Sequence, residues 1–118
     1  MSARSRSGAL AVRTLRAHAP VFAALGDPLR LALVSKLSGG APLSIVELTQ
    51  GMTVTRQAVT KHLRVLEDAG VVRGERQGRS NLYALRPHAL DDARRSLEAL
   101  SQQWAQALGR LQAFVERD

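Results

Sequence analysis

The chain has 118 residues, 45% of them hydrophobic but only 3% aromatic, and a formal charge of +7; this is one domain's length, with a Leu, Val and Ala interior that suits a small helical pack rather than a β-sandwich, and it calls for an anionic partner. There is no cysteine, which excludes disulfides, thiolate metal sites, iron–sulfur clusters and sulfur-based redox sensing. No apolar run is long enough to span a bilayer and the first residues lack a signal-peptide pattern, so a cytoplasmic protein with no membrane partner is expected.

The first sixteen residues carry Arg4, Arg6, Arg13 and Arg16 without one acid, and Ser2, Ser5, Ser7 and Gly8 mark residues 1–8 as a flexible basic arm. Such an arm is either solvated or laid along a DNA backbone. Leu10, Leu15, Val21, Phe22 and Leu25 then predict a helix interrupted or restarted at Pro20. Asp27-Pro28 reads as an N-cap followed by proline at the first helical position, opening a buried helix through Leu29, Leu31, Leu33, Val34 and Leu37 that stops at Gly39-Gly40. Ser44 and Glu47 form a capping box for a short helix to about Gln50, which Gly51 can close.

Thr55 is a second N-cap, and the long helix it opens is ended by Gly70. Within it Ala58, Val59, Leu63 and Leu66 follow helical spacing and pack down, leaving Arg56, Gln57, Thr60, Lys61 and Arg64 facing away. Val71 to Arg76 and Asn81 to Leu85 predict two strands around Gln77-Gly78-Arg79-Ser80, a hairpin with a basic tip. Beyond Pro87, residues 88–117 predict a last helix whose apolar residues repeat every seventh position. One row is Leu90, Leu97, Trp104 and Leu111; the other is Ala93, Leu100, Ala107 and Phe114. The other helices already cover a core this small, so the seam is read as a dimer interface rather than as packing on its own domain. No composition shift marks a second domain, and 1–118 is read as one.

Helix, short turn, helix and basic hairpin together predict a mainly α chain with a small β-hairpin: a winged helix-turn-helix, dimeric through its terminal helices. In that arrangement one helix enters the major groove of double-stranded DNA. Arg56 and Lys61 can donate to guanine, Gln57 can pair with adenine, and Thr60 can meet a thymine methyl or a phosphate. Thr55 caps its helix and has a phosphate contact open to it; Arg64, one turn on, reaches backbone or solvent; Arg76 and Arg79 are the wing candidates. Every basic residue except Lys36 and Lys61 is arginine, whose planar fork suits phosphate and guanine, although a GC-rich genome gives the same bias.

His18, His62 and His88 raise the question of a metal. His62 is assigned to packing or a phosphate contact, and Asp91 and Asp92 near His88 are assigned to the dipole of the last helix, so no metal or other cofactor is expected. No nucleophile elbow, phosphate-binding glycine loop or zinc-protease motif is present, and no enzyme is expected.

The segments Ala24-Leu-Gly-Asp-Pro-Leu-Arg30, Thr55-Arg-Gln-Ala-Val-Thr-Lys-His-Leu63 and Gly78-Arg through Tyr83 resemble the ArsR-type winged-helix repressors in order and spacing. The resemblance implies a homodimer with first and last helices at the interface, which binds an imperfect palindrome and blocks transcription. It carries over Thr55, Arg56, Gln57, Thr60 and Lys61 as DNA-facing positions and Arg76 and Arg79 as wing positions. It does not carry over a metal site: the region where members place a cysteine pair reads Glu47-Leu-Thr-Gln50, and the last helix has only His88 where others use two histidines. The segment from Trp104 to Val115 is similar to a branch without metal sensors, in which either an unknown small-molecule effector at the dimer interface or the protein's own abundance would set the response. The competing expectation is an architectural protein that coats DNA through charge.

Overall fold

The computed structural model describes residues 13–117, so the basic arm expected at residues 1–8 lies outside the described residues. Residues 13–17 are helical and are followed by α1 (Ala19–Leu25), α2 (Pro28–Leu37), β1 (Leu43–Ser44), α3 (Ile45–Thr49), α4 (Arg56–Asp68), β2 (Val72–Gln77), β3 (Ser80–Leu85) and α5 (Pro87–Val115). Two compact units are distinguished: Pro20–Leu90, and a second drawn from the two ends of the chain, of which residues 13–19 and 91–117 are described.

Within residues 20–90 the helix starts are built by side chains that satisfy otherwise orphaned N–H groups. Asp27 accepts from the Leu29 and Arg30 amides at 2.9 and 3.0 Å. Ser44 and Glu47 form the reciprocal capping box, and Thr55 Oγ1 accepts from the Ala58 amide at 3.1 Å. The end of α4 is a Schellman closure, with Val71 N donating to Leu66 O at 2.9 Å and Gly70 N to Glu67 O at 3.0 Å. Gly70 sits there at a φ of +79°, where a Cβ would be strained.

The strands form one antiparallel sheet in the order β1-β3-β2. The hairpin β2–β3 closes on the two residues Gly78-Arg79, since Gln77 pairs with Ser80. Gly78 takes a φ of +59° while no other residue type has a positive φ among the described residues, as a type II′ turn requires at its first central position. The short β1, which pairs Leu43 with Tyr83 and Ser44 with Leu82, adds a strand that the sequence did not predict. At Gly74 a Cβ would lie 3.0 Å from the Tyr83 ring and 3.1 Å from Glu67 Oε1. The missing side chain therefore lets Tyr83 cross the sheet, while the Gly74 amide donates to that same Glu67 oxygen.

The core of this unit is Val21 and Ala24 of α1, Leu33 and Leu37 of α2, Leu48 of α3, Val59, Leu63 and Leu66 of α4, Val71 and Val72 at the sheet, and Tyr83. Leu31, expected in the core, is 51% exposed. Two residues from Leu33 is more than half a helical turn, so the two cannot share a face. In the other unit Ala93 and Ser96 are buried. His18 Nδ1 lies 2.8 Å from the Thr14 carbonyl and 3.3 Å from Ser96 Oγ, which joins the first described helical turn to α5.

Candidate nucleic-acid interface

The helix α4 has two unlike faces. Val59, Leu63 and Leu66 are completely buried, while Arg56, Gln57, Lys61 and Arg64 are exposed, as the sequence predicts, and Thr60 is half-buried. Thr60 spends its hydroxyl proton inside the helix, donating to Arg56 O at 2.8 Å; its oxygen lone pairs and methyl remain for an outside partner. Thr55 is exposed and engaged as the cap.

Before α4 lies α3, and the two helices form the helix-turn-helix. Lys36 of α2 donates through Nζ to the carbonyls of Leu48 and Gln50, satisfying the C-terminal end of α3 with a positive charge. A shallow groove of about 390 Å³ is lined by Ile45 and Val46 of α3 and by Arg56, Gln57 and Thr60 of α4. Val46 is 47% exposed there. This places an apolar side chain from α3 beside three of the predicted reading positions, a juxtaposition that the periodicity of α4 alone could not reveal.

Behind the polar face, α4 is tied to the start of α2 by a cluster that the sequence did not disclose. Arg30 donates through Nε to Ala24 O, through Nη2 to Ala23 O at 3.4 Å, and through Nη1 to His62 Nδ1 at 3.2 Å. A guanidinium can only donate, so Arg30 is the donor in its contact with the His62 ring. Asp27 Oδ2 stands 3.8 Å from the same nitrogen. The Arg30 backbone amide, followed by the Arg30 guanidinium and the Leu29 amide, holds the Asp27 carboxyl below its ordinary value against a smaller desolvation effect. Glu47 is lowered in the same direction by the Ser44 amide and hydroxyl of the capping box.

At the wing, Arg76 and Arg79 are exposed. Arg76 Nε donates to Gly78 O at 3.3 Å, so one wing arginine is drawn toward the turn backbone. The predicted seam on α5 divides by exposure: Leu90 and Leu100 are half-buried, whereas Leu97, Trp104 and Leu111 are 50%, 62% and 57% exposed. Leu108, Phe114 and Val115 are exposed too, and the spacing of Leu97, Trp104, Leu108, Leu111 and Val115 keeps them on one stripe.

Near the start of α5, the carboxylate of Asp91 is used locally. Asp91 pairs with Arg94 at 2.9 Å and with Arg95 at 3.2 Å, and Arg94 also binds Glu98. No group of three or more His, Cys, Asp or Glu residues that could hold a metal occurs among the described residues. Among them, too, no helix is long and apolar enough to cross a membrane.

A buried helix face, a cationic outer face, a capped short helix before it and a hairpin after it define a winged helix-turn-helix DNA-binding protein. A helix-turn-helix domain family matches residues 25–75. The HTH-type transcriptional regulator Rv2034 of Mycobacterium tuberculosis is 36% identical over 95 residues, covering 80% of this chain and 85% of that one. The HTH-type transcriptional repressor SmtB of the same organism is 40% identical over 76 residues, 64% of this chain and 56% of the repressor. Among solved structures, an ArsR-like transcriptional regulator from Rhodococcus sp. RHA1 superposes with a TM-score of 0.68 at 33% identity, covering 86% of this chain and 94% of that one.

The chain belongs to the ArsR/SmtB family of helix-turn-helix transcriptional regulators. It is thus a DNA-binding regulator of transcription and not an enzyme.

Proposed function

We propose that the chain is a cytoplasmic, homodimeric, metal-independent repressor that binds a palindromic operator in double-stranded DNA. The observation that carries this reading is the division of α4: Val59, Leu63 and Leu66 fix the helix to the core, and Arg56, Gln57 and Lys61 stand exposed in its first two turns, where base edges are reached. Thr55 and Thr60 supply oxygen contacts, Arg64 meets backbone, and Arg76 and Arg79 of the wing meet phosphate or minor groove. Residues 1–118 act as one DNA-binding domain, with the reading head in residues 20–90 and the dimer seam at Leu90, Leu97, Leu100, Trp104 and Leu111. Metal independence is supported by the lack of cysteine and by the commitment of Asp91 to Arg94 and Arg95. Repression is supported by the likeness to the SmtB repressor, and a repressor that needs no metal leaves room for an organic effector.

The test is selection of bound duplexes from a random DNA library by the full chain, at near-physiological salt with competitor DNA. Enrichment of a two-fold symmetric motif, its half-sites about one helical turn or ~10 bp apart, is expected. Binding without an enriched motif, and with a steep salt dependence, would replace this reading with a DNA-coating protein held by charge.

A further inference from the structure

Beside the base of the wing lies a cleft of about 390 Å³, within the range of small-molecule sites. The basic residues Arg73, Arg86 and His88 and the apolar residues Ala84, Leu85 and Pro87 line it, and no acidic side chain does. Arg73 has only a long contact to Glu75, at 3.8 Å. Among the described residues neither the Arg86 guanidinium nor the His88 imidazole has a hydrogen-bond or ion-pair partner. The floor is held by backbone, with Arg86 N donating to Val71 O at 2.9 Å, so the cleft is fixed by the sheet rather than by its basic side chains.

The cleft's far wall is the first turn of α5. That helix opens at Pro87 directly after Arg86 and has no acid in its first turn. Arginine offers no acceptor for the first N–H groups, so an anion in the cleft would meet donors of the main chain as well as three basic side chains. The remaining walls are aliphatic, which suits a ligand with an apolar body behind its charged group.

We propose that this cleft binds a small organic acid through its carboxylate, with Arg73, Arg86 and His88 around the charged group and Ala84, Leu85 and Pro87 against the apolar remainder. The cleft reaches Gly70 at the end of α4 and Arg73 in the wing strand, so its occupant touches both DNA-reading elements of the regulator. Binding of the acid itself does not depend on the operator reading.

The experiment is a titration of the full, isotope-labelled chain with benzoate, with inorganic phosphate, and with chloride at matched ionic strength, followed by amide NMR. Benzoate is expected to give saturable shifts confined to residues 70–73 and 84–89 and to bind more tightly than phosphate. The double variant Arg73→Gln/Arg86→Gln is expected to weaken benzoate at least tenfold with the other amides unmoved. Shifts that match chloride, or that spread over Arg56, Arg64 and Arg76, would overturn the assignment, as would unchanged affinity in the variant. If a DNA duplex displaces benzoate from these amides and Arg86→Gln alone weakens the duplex, the cleft reads backbone phosphate and the organic-acid proposal fails.

Discussion

Residues 20–90 and the stretch of α5 from Leu97 to Val115 use the same apolar alphabet in opposite ways. In the former, Leu33, Leu37, Leu48, Leu63 and Leu66 are fully buried, whereas Leu97, Trp104, Leu108, Leu111, Phe114 and Val115 are each at least half exposed. Covering a large apolar side chain is worth about 1.5–3 kcal/mol. The first set therefore stabilises the helix-turn-helix from within, and the second holds back a comparable gain until another surface arrives. A heptad-spaced stripe on a 29-residue helix matches a second copy of itself. Folding of residues 20–90 and the proposed pairing of chains are thereby assigned to separate regions.

Substitutions of one type at both places should break that contrast most sharply. Leu63→Ala is expected to cost about 2–5 kcal/mol of folding stability, measured by denaturant unfolding. Leu111→Ala removes a side chain that is more than half exposed, and should cost the unfolding of an isolated chain far less than Leu63→Ala while weakening self-association. If Leu111→Ala unfolds a dilute, monomeric sample as severely as Leu63→Ala does, the stripe is internal packing and the contrast is lost.

Next in size is the reading head. Arg56→Ala and Lys61→Ala should each cost about 1–3 kcal/mol at the selected duplex, read by anisotropy titration, without moving the melting temperature. Equal affinities for both variants and the parent would remove these two residues from the interface.

The smallest effect is the acid limb of the stability curve. The folded-state pKa values of Asp27 and Glu47 lie below their ordinary values of 3.8 and 4.5, so the unfolded chain binds protons first as the pH falls. The stability they lend is complete above those ordinary values and is lost as the pH drops through the depressed ones. Asp27→Asn and Glu47→Gln should each flatten that limb in urea unfolding between about pH 5 and pH 2; an unchanged slope in both would show that the caps do not carry it.

The helix starts were legible because their signals are local: Asp27-Pro28, the Ser44 and Glu47 pair, and Thr55 each act within one turn. The two faces of α4 were legible because one period orders them. Leu31 was placed wrongly where that same periodicity was stretched to include neighbours two apart. The two-residue strand β1 has no pattern of its own and exists through its pairing with Leu82 and Tyr83. Arg30, His62 and Asp27 come together across 32 residues through the packing of α2 on α4, which no local spacing encodes. The exposure of Leu97, Trp104 and Leu111 was implicit in the heptad, but only the fold separates them from half-buried Leu90 and Leu100.

Sedimentation of the full chain, alone and on the selected duplex, tests most directly whether the exposed stripe and the α4 face belong to one paired reader. A concentration-dependent dimer and two chains per symmetric duplex are expected, with Leu97→Glu abolishing both. A chain that stays monomeric at every concentration and binds the duplex singly, with Leu97→Glu indistinguishable from the parent, would contradict it.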